Sequence, residues 1–329
     1  MPSAQRPSGH TDKREVNAVG HILQPAFVKS LGTRALDRAL MQPWVHRLLL
    51  PLGRELQPQR WIFVIGCYNS GTTLLASILR QHPEIAGLRT EGVYLANDLP
   101  YPEAFGWPRM WCQCVDAVHI PVEGEAERAA RIRRQWSLWY PRGARNLVEK
   151  SVANAARMPF LDAHFRPAYF IYIMRNGYAV AAGIRGKANL RRWRSPYADS
   201  GYPIELCARQ WRVTDETVEQ DAAKVERFLA IRYEDLVTAP GDTLERITGF
   251  LDLAPMPQTA LQQSWNIHGS EATLQDMNAA SLARLGPADL DAIEAEAGAR
   301  LRRHGYTRPA VHSDTRSSSG RHDSAMIGH

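Results

Sequence analysis

Two unbroken apolar runs, Trp61-Ile-Phe-Val-Ile65 and Tyr169-Phe-Ile-Tyr-Ile-Met174, stand out against a chain in which apolar and polar residues otherwise alternate at helical spacing. Runs of strand-forming residues without alternation predict strands covered on both faces, the situation of a parallel sheet. Shorter stretches at 85–88, 146–149 and 229–232 predict three more strands. Helical spacing recurs at 72–82, closed by Pro83, and at 126–138, 155–165, 178–184, 206–228, 242–251 and 287–303. Residues 35–50 share that spacing, broken by Pro43, and read either as a short helix packed on its own domain or as one lying on a membrane surface. Segment 100–125, rich in Pro, Trp and Cys, and the basic, aromatic segment 187–203 predict irregular excursions. Strands alternating with helices define an α/β chain, a three-layer fold with a central, mainly parallel sheet and helices on both faces. Residues 1–20 and the tail from Arg308 lack the apolar content needed to fold and are expected to be disordered.

Charge changes this picture only slightly. Lys and Arg number 40 against 34 Asp and Glu in 329 residues, a formal charge of +6. That excess suits a polyanionic ligand, and the absence of long basic runs argues against nucleic acid. Cys67, Cys112, Cys114 and Cys207 match no disulfide framework, and Cys112-Gln-Cys114 has no second pair at zinc-site spacing. They read as free thiols in a reducing compartment, with no metal expected. No segment reaches the ~18 apolar residues of a membrane span, and the polar first residues are no secretory leader. The expected location is the cytoplasm.

The chemistry concentrates after the first strong strand. Gly66-Cys-Tyr-Asn-Ser-Gly-Thr-Thr73 joins that strand to a helix, the setting in which backbone amides and a helix N-terminus cradle an anion. Ser70, Thr72 and Thr73 add hydroxyls, and Gly71 permits close approach. A nucleotide triphosphatase loop would carry lysine where Thr72 stands, and its magnesium would need an aspartate where Arg175 ends the second strong strand. Both replacements fit a donor with fewer charges than ATP. A small-molecule kinase and a non-catalytic nucleotide-binding protein of the same fold are the alternatives.

Through Ser70-Gly-Thr-Thr-Leu74, within a span of about residues 60–306, the chain resembles the sulfotransferases that use 3′-phosphoadenosine-5′-phosphosulfate (PAPS). The resemblance implies a P-loop-type fold and a metal-free transfer of the sulfuryl group to an acceptor hydroxyl. It also implies a nucleotide site built from Asn69, Ser70, Gly71, Thr72, Thr73, Arg175 and Gly183, with Arg175 selecting the 3′-phosphate. Tyr68 and Gly177 stand where the family usually has Pro, and two further departures bear on the nucleotide. Asn69 stands where a Lys or Arg contacts the leaving oxygen, and Gly183 where a Ser is usual. Another residue must therefore supply the cation.

Glu91, in Leu88-Arg-Thr-Glu-Gly92, is similar in setting to the base of heparan-type enzymes; Lys150, in Val148-Glu-Lys-Ser151, is similar to their donor-facing lysine. The resemblance thus implies Glu91 as base and Lys150 as the cation on the leaving phosphate; from the residues alone Glu149, His82 and His119 are lesser candidates, with His82 suited to cap its helix. It leans toward a carbohydrate or glycoconjugate acceptor, with other small molecules open. Trp107, Trp111, Trp136 and Trp139 read either as sugar-stacking or as core residues. Arg185, Lys187, Arg191, Arg192 and Arg194 read either as anion-binding or as a solvated face. Ile231-Arg-Tyr-Glu-Asp-Leu236 is also characteristic of the family and reads as a structural tie. The implied organisation is a polar segment with a short helix (1–54), a sulfotransferase domain (55–307) and a disordered tail (308–329).

Overall fold

The first apolar run forms strand β1 (Arg60–Gly66), and it is buried on both sides. Trp61, Phe63 and Ile65 enter one core layer while Ile62 and Val64 enter the other. Only a strand flanked by two neighbours and covered by helices above and below satisfies such a run. In the computed structural model, which describes residues 42–257, 265–267, 270–272 and 274–310, β1 is the middle strand. Its partners are β3 (Asn146–Glu149) and β4 (Ala168–Met174), while β2 (Ile85–Gly87) and β5 (Phe228–Arg232) form the edges. The order β2-β3-β1-β4-β5 is parallel throughout. All five strands fall where the apolar runs predict them.

Helices α1 (Pro43–Leu49), α2 (Thr72–Leu79), α3 (Ala126–Trp136), α4 (Met158–His164), α5 (Gly177–Lys187), α6 (Ile204–Ala222), α7 (Tyr233–Thr238), α8 (Pro240–Phe250), α9 (Asn278–Leu282) and α10 (Pro287–Arg303) surround the sheet. One face packs Leu74, Leu75 and Ile78 of α2 with Leu244 and Ile247 of α8. The other packs Ile132 and Trp136 of α3, Phe160 of α4, Val180 of α5, Trp211 of α6 and Ile293 of α10. Trp61 meets Phe165 edge-on at 5.2 Å and Trp136 at 5.8 Å, so aromatic burial anchors this larger layer.

Several boundaries shift for physical reasons. Pro43 begins a helix, because proline's fixed φ suits the first helical position; the preceding part of the 35–50 segment lies outside the described residues. Helix α6 stops at Ala222, where Asp221 pairs with Lys224, and leaves Phe228 to join β5 beside Phe170. The helix expected over 155–165 divides into a 3-10 segment (Val152–Ala156) and α4. An antiparallel pair, Trp265–Ile267 with Ser270–Ala272, is unforeseen. The disorder expected for residues 1–20 and for the tail beyond 310 lies outside the described residues. No helix among the described residues is long and apolar enough to cross a membrane.

Asp215, buried in the middle of α6, ties the layers together. It accepts from the Tyr172 hydroxyl of β4 at 2.9 Å and pairs with Arg300 and His304 at the end of α10. Burial opposes its charge, but His304 and Arg300 prevail and hold the carboxyl below the usual aspartate range. A depressed carboxyl contributes stability above its ordinary pKa and loses it as pH falls through the folded-state value. We therefore predict that Asp215→Ala costs about 3 kcal/mol of unfolding free energy at pH 7. Urea titrations should show this difference shrinking as the pH is taken below the aspartate range.

Candidate active site

Parallel pairing sends the loop after every strand to the same sheet edge, and there the loops enclose a cleft of ≈ 900 Å³. The loop after β1 contributes Tyr68, Asn69 and Gly71, and that after β2 contributes Arg89, Thr90 and Glu91. Lys150 follows β3, Arg175 follows β4, and Tyr233 follows β5. The site thus occupies the carboxyl edge beside the central strand, where the strand order reverses.

The loop after β1 bends through two left-handed residues, Asn69 (φ 63°) and Gly71 (φ 95°). Asparagine tolerates that region better than most side chains, and glycine enters it freely. A Cβ at residue 71 would lie 2.7 Å from the Tyr233 ring, so this position admits only glycine without a shift. Thr72 and Thr73 then open α2 with its first amides unpaired by helix geometry. Ser70 is buried beneath the loop, and its Oγ has no partner among the described residues.

Arg175 is 6% exposed and forms no ion pair among the described residues. Its Nε donates to Asn278 Oδ1 at 2.8 Å and Nη1 to the Asn69 carbonyl at 2.7 Å, while Nη2 has no partner among the described residues. The Tyr233 ring lies 4.3 Å from the guanidinium, and burial lowers the arginine's pKa. A buried cation without a carboxylate calls for an anionic ligand. Lys187, partly desolvated and facing Arg109, Arg175 and Arg284, is likewise pushed below the usual lysine range. The basic segment 185–194 divides: Lys187 lines the cleft, while Arg185 pairs with Asp289 and Arg191 with Asp199.

On the opposite wall Glu91 and Lys150 form an ion pair at 2.5 Å, with side chains 23% and 12% exposed. The loop bearing Glu91 is held from below by Glu149, which is fully buried and accepts from the Gly92 amide at 2.7 Å, Ser151 Oγ at 2.5 Å and Asn154 Nδ2. Trp136 Nε1 donates to the Gly92 carbonyl at 3.0 Å. Glu149 therefore supports the site from beneath and does not line the cleft. His82 is buried, its Nε2 within 2.9 Å of the Ala254 carbonyl, and His119 bonds the Ala156 carbonyl; neither lines the cleft.

Gly183 is not among the residues lining the cleft, but it lies against Asn69, which is. It makes room for Asn69: a Cβ at residue 183 would lie 3.0 Å from the Asn69 Cβ and Cγ. These two departures from the family pattern are therefore one packing unit. Trp111 and Trp136 are core residues, fully buried, and Trp107 packs against Tyr197. The aromatic wall leading from the cleft is Tyr94, Tyr101 and Trp193, at 5.1 and 6.3 Å between successive rings. Sequence reasoning missed Arg109, Glu103 and Asn278, which lie in irregular or short segments. Tyr233 and Glu234 belong to the segment read as a structural tie, and Glu234 accepts from Asn176 N, Asn278 Nδ2 and the Tyr306 hydroxyl at 3.0–3.1 Å.

The chain matches the model described as "Sulfotransferase family" over residues 61–258. It is 25% identical over 231 residues to the nodulation protein NoeE of Sinorhizobium fredii, a match covering 62% of this chain and 53% of the relative. The match therefore spans about half of that protein's length. It is 22% identical over 271 residues to protein-tyrosine sulfotransferase 2 of Gallus gallus, covering 74% and 68%. Among solved structures, the sulfotransferase domain of the Synechococcus PCC 7002 olefin synthase shares the fold. The TM-score is 0.50 at 22% identity, covering 78% of this chain and 98% of that one.

Two predictions follow from the geometry. Gly183→Ser, which restores the family's hydroxyl, destabilises the fold by about 1 kcal/mol through overpacking against Asn69, measurable as a lower urea midpoint. Burial pushes the Glu103 carboxyl up to about 7, with nearby Glu91 adding to the shift. A raised carboxyl contributes its stability below the ordinary glutamate pKa and loses it as pH rises through 7. Glu103→Gln should therefore raise the melting temperature at pH 8 and leave it nearly unchanged at pH 4.5.

Proposed function

This chain belongs to the sulfotransferase family, and from that premise we propose that it transfers the sulfuryl group of PAPS to an acceptor hydroxyl, using residues 55–307. The observation that carries the reading is the set of buried donors without partners around one loop. Asn69 Nδ2, Ser70 Oγ and Arg175 Nη2 all lack partners among the described residues, beside the first amides of α2. Buried polar atoms are rarely left unpaired, and this set suits phosphate and sulfonate oxygens.

In this reading Arg175 holds the 3′-phosphate that separates PAPS from the phosphates of ATP, and Tyr233 fixes the plane of its guanidinium. The loop amides with Thr72 and Thr73 hold the phosphosulfate. The bound donor supplies an activated sulfuryl group, and no metal is invoked. Glu91 takes the proton of the acceptor hydroxyl, and Lys150 orients that carboxylate while bringing positive charge to the same wall. A carbohydrate or glycoconjugate acceptor is favoured by the Tyr94–Tyr101–Trp193 wall, whose ring faces and edges suit a sugar. The free thiols of Cys67, Cys112, Cys114 and Cys207 favour a reducing, cytoplasmic setting.

The test is transfer of label from radiolabelled PAPS to a panel of oligosaccharides, phenols and lipid alcohols. The reading predicts a labelled, hydroxyl-sulfated product without added metal. Glu91→Gln should lower kcat by about 100-fold or more. Arg175→Ala should weaken binding of the product 3′-phosphoadenosine-5′-phosphate by about 10–100-fold, the range for a lost charge-assisted hydrogen bond. No transfer to any hydroxyl class, with the same nucleotide bound, would favour a non-catalytic binding protein.

A further inference from the structure

The loop after β1 carries no cation of its own. Asn69 is neutral, and its side chain packs over Gly183, where an added Cβ would lie only 3.0 Å from the Asn69 Cβ and Cγ. Yet the Asn69 side chain has a cationic partner: Arg109 Nη1 donates to Asn69 Oδ1 at 3.4 Å. Arg109 reaches across from the irregular 100–125 excursion, 40 residues away in sequence, and lines the same cleft.

Three features mark Arg109 as placed for a ligand. Its backbone sits in the left-handed region at φ 61°, unusual for a long side chain. The surroundings hold it there. The Arg109 amide faces Glu103 Oε1 at 3.4 Å, the Pro108 carbonyl accepts from the Tyr202 hydroxyl at 3.1 Å, and Met110 and Trp111 beyond it are fully buried. Backbone strain of this kind persists where surrounding structure over-determines it, and it gathers at functional sites. Finally, the guanidinium lies 6.0 Å from the Tyr68 ring and forms no ion pair among the described residues, unlike Lys150, which is committed to Glu91.

We propose that Arg109 is the catalytic cation of this site, standing in for the charge that Asn69 lacks, and that the Asn69–Gly183 contact is what admits it to the loop. The inference rests on the sulfuryl-transfer reading given above. In that transfer the acceptor oxygen forms a bond to sulfur while the bond between sulfur and the 5′-phosphate oxygen breaks. The bonding pair stays on that oxygen, and the acceptor proton passes to Glu91. Negative charge thus grows on the phosphate side, where a preplaced guanidinium stabilises the transition state more than the bound donor. Arginine suits the task because it stays charged in a partly desolvated cleft and offers several donors at once.

The decisive variant is Arg109→Gly, because glycine adopts the left-handed backbone without strain. Thermal melting should show the variant at least as stable as the wild type. Its kcat at saturating PAPS should fall by about 100-fold. Calorimetry should show affinity for 3′-phosphoadenosine-5′-phosphate, which bears the charge on that oxygen, reduced by about 10-fold. Arg109→Lys should recover part of both. A glycine variant with wild-type kcat and wild-type affinity for that nucleotide overturns the inference, as does one that loses stability while keeping kcat. A wild-type chain that binds the nucleotide but sulfates nothing sinks the transfer reading alone, and the affinity comparison still decides whether Arg109 contacts the phosphate. A wild-type chain that binds no such nucleotide overturns both.

Discussion

Burial of β1 on both faces is the constraint from which the site follows. A strand with Trp61, Phe63 and Ile65 on one side and Ile62 and Val64 on the other must lie inside the sheet and beneath helices on both sides. With β3 and β4 pairing it in parallel, each connection has to cross back over a face before the next strand begins. Every post-strand loop then opens at the same edge. The convergence of Asn69, Glu91, Lys150, Arg175 and Tyr233 needs no long-range design beyond that topology, because each simply follows the carboxyl end of its strand.

Within that edge, charge is arranged by second-layer contacts. Glu149 is buried and acts through the Gly92 amide, fixing the turn that presents Glu91. Glu234 gathers Asn176, Asn278 and Tyr306, and Asn278 in turn takes the Arg175 Nε. The cleft therefore keeps Arg175 and Arg109, like Lys187, free of ion pairs among the described residues, while Lys150 is neutralised by Glu91. In the proposed reading, unpaired cations beside orphaned donors form the anion-binding half, and the paired wall with its aromatic flank forms the acceptor half.

The sequence was most legible where local pattern and local structure coincide. All five strands appear as apolar runs, and the loop proposed to hold the phosphates is announced by Gly66 to Thr73 between a strand and a helix. Glu91, Lys150 and Arg175 could be named because their short motifs resemble those of the family and each follows a strand end. The packing of Gly183 against Asn69 was not legible, since it depends on a side chain 114 positions away. Arg109 was invisible because its segment has no periodicity, and the strained backbone that aims it is set by Tyr202 and Glu103. From composition alone Trp111 and Trp136 read either as sugar-stacking or as core residues, and their burial makes them core.

The central claim is that this edge recognises a nucleotide by its 3′-phosphate, without a metal. The most direct measurement is calorimetric titration of the wild-type chain with 3′-phosphoadenosine-5′-phosphate and with ADP, in the presence of a chelator. Tighter binding of the 3′-phosphorylated nucleotide, by about 10-fold or more as one charge-assisted contact implies, is the predicted result. Equal binding of the two, or binding that appears only when magnesium is restored, would contradict the account and point to a nucleoside triphosphate instead.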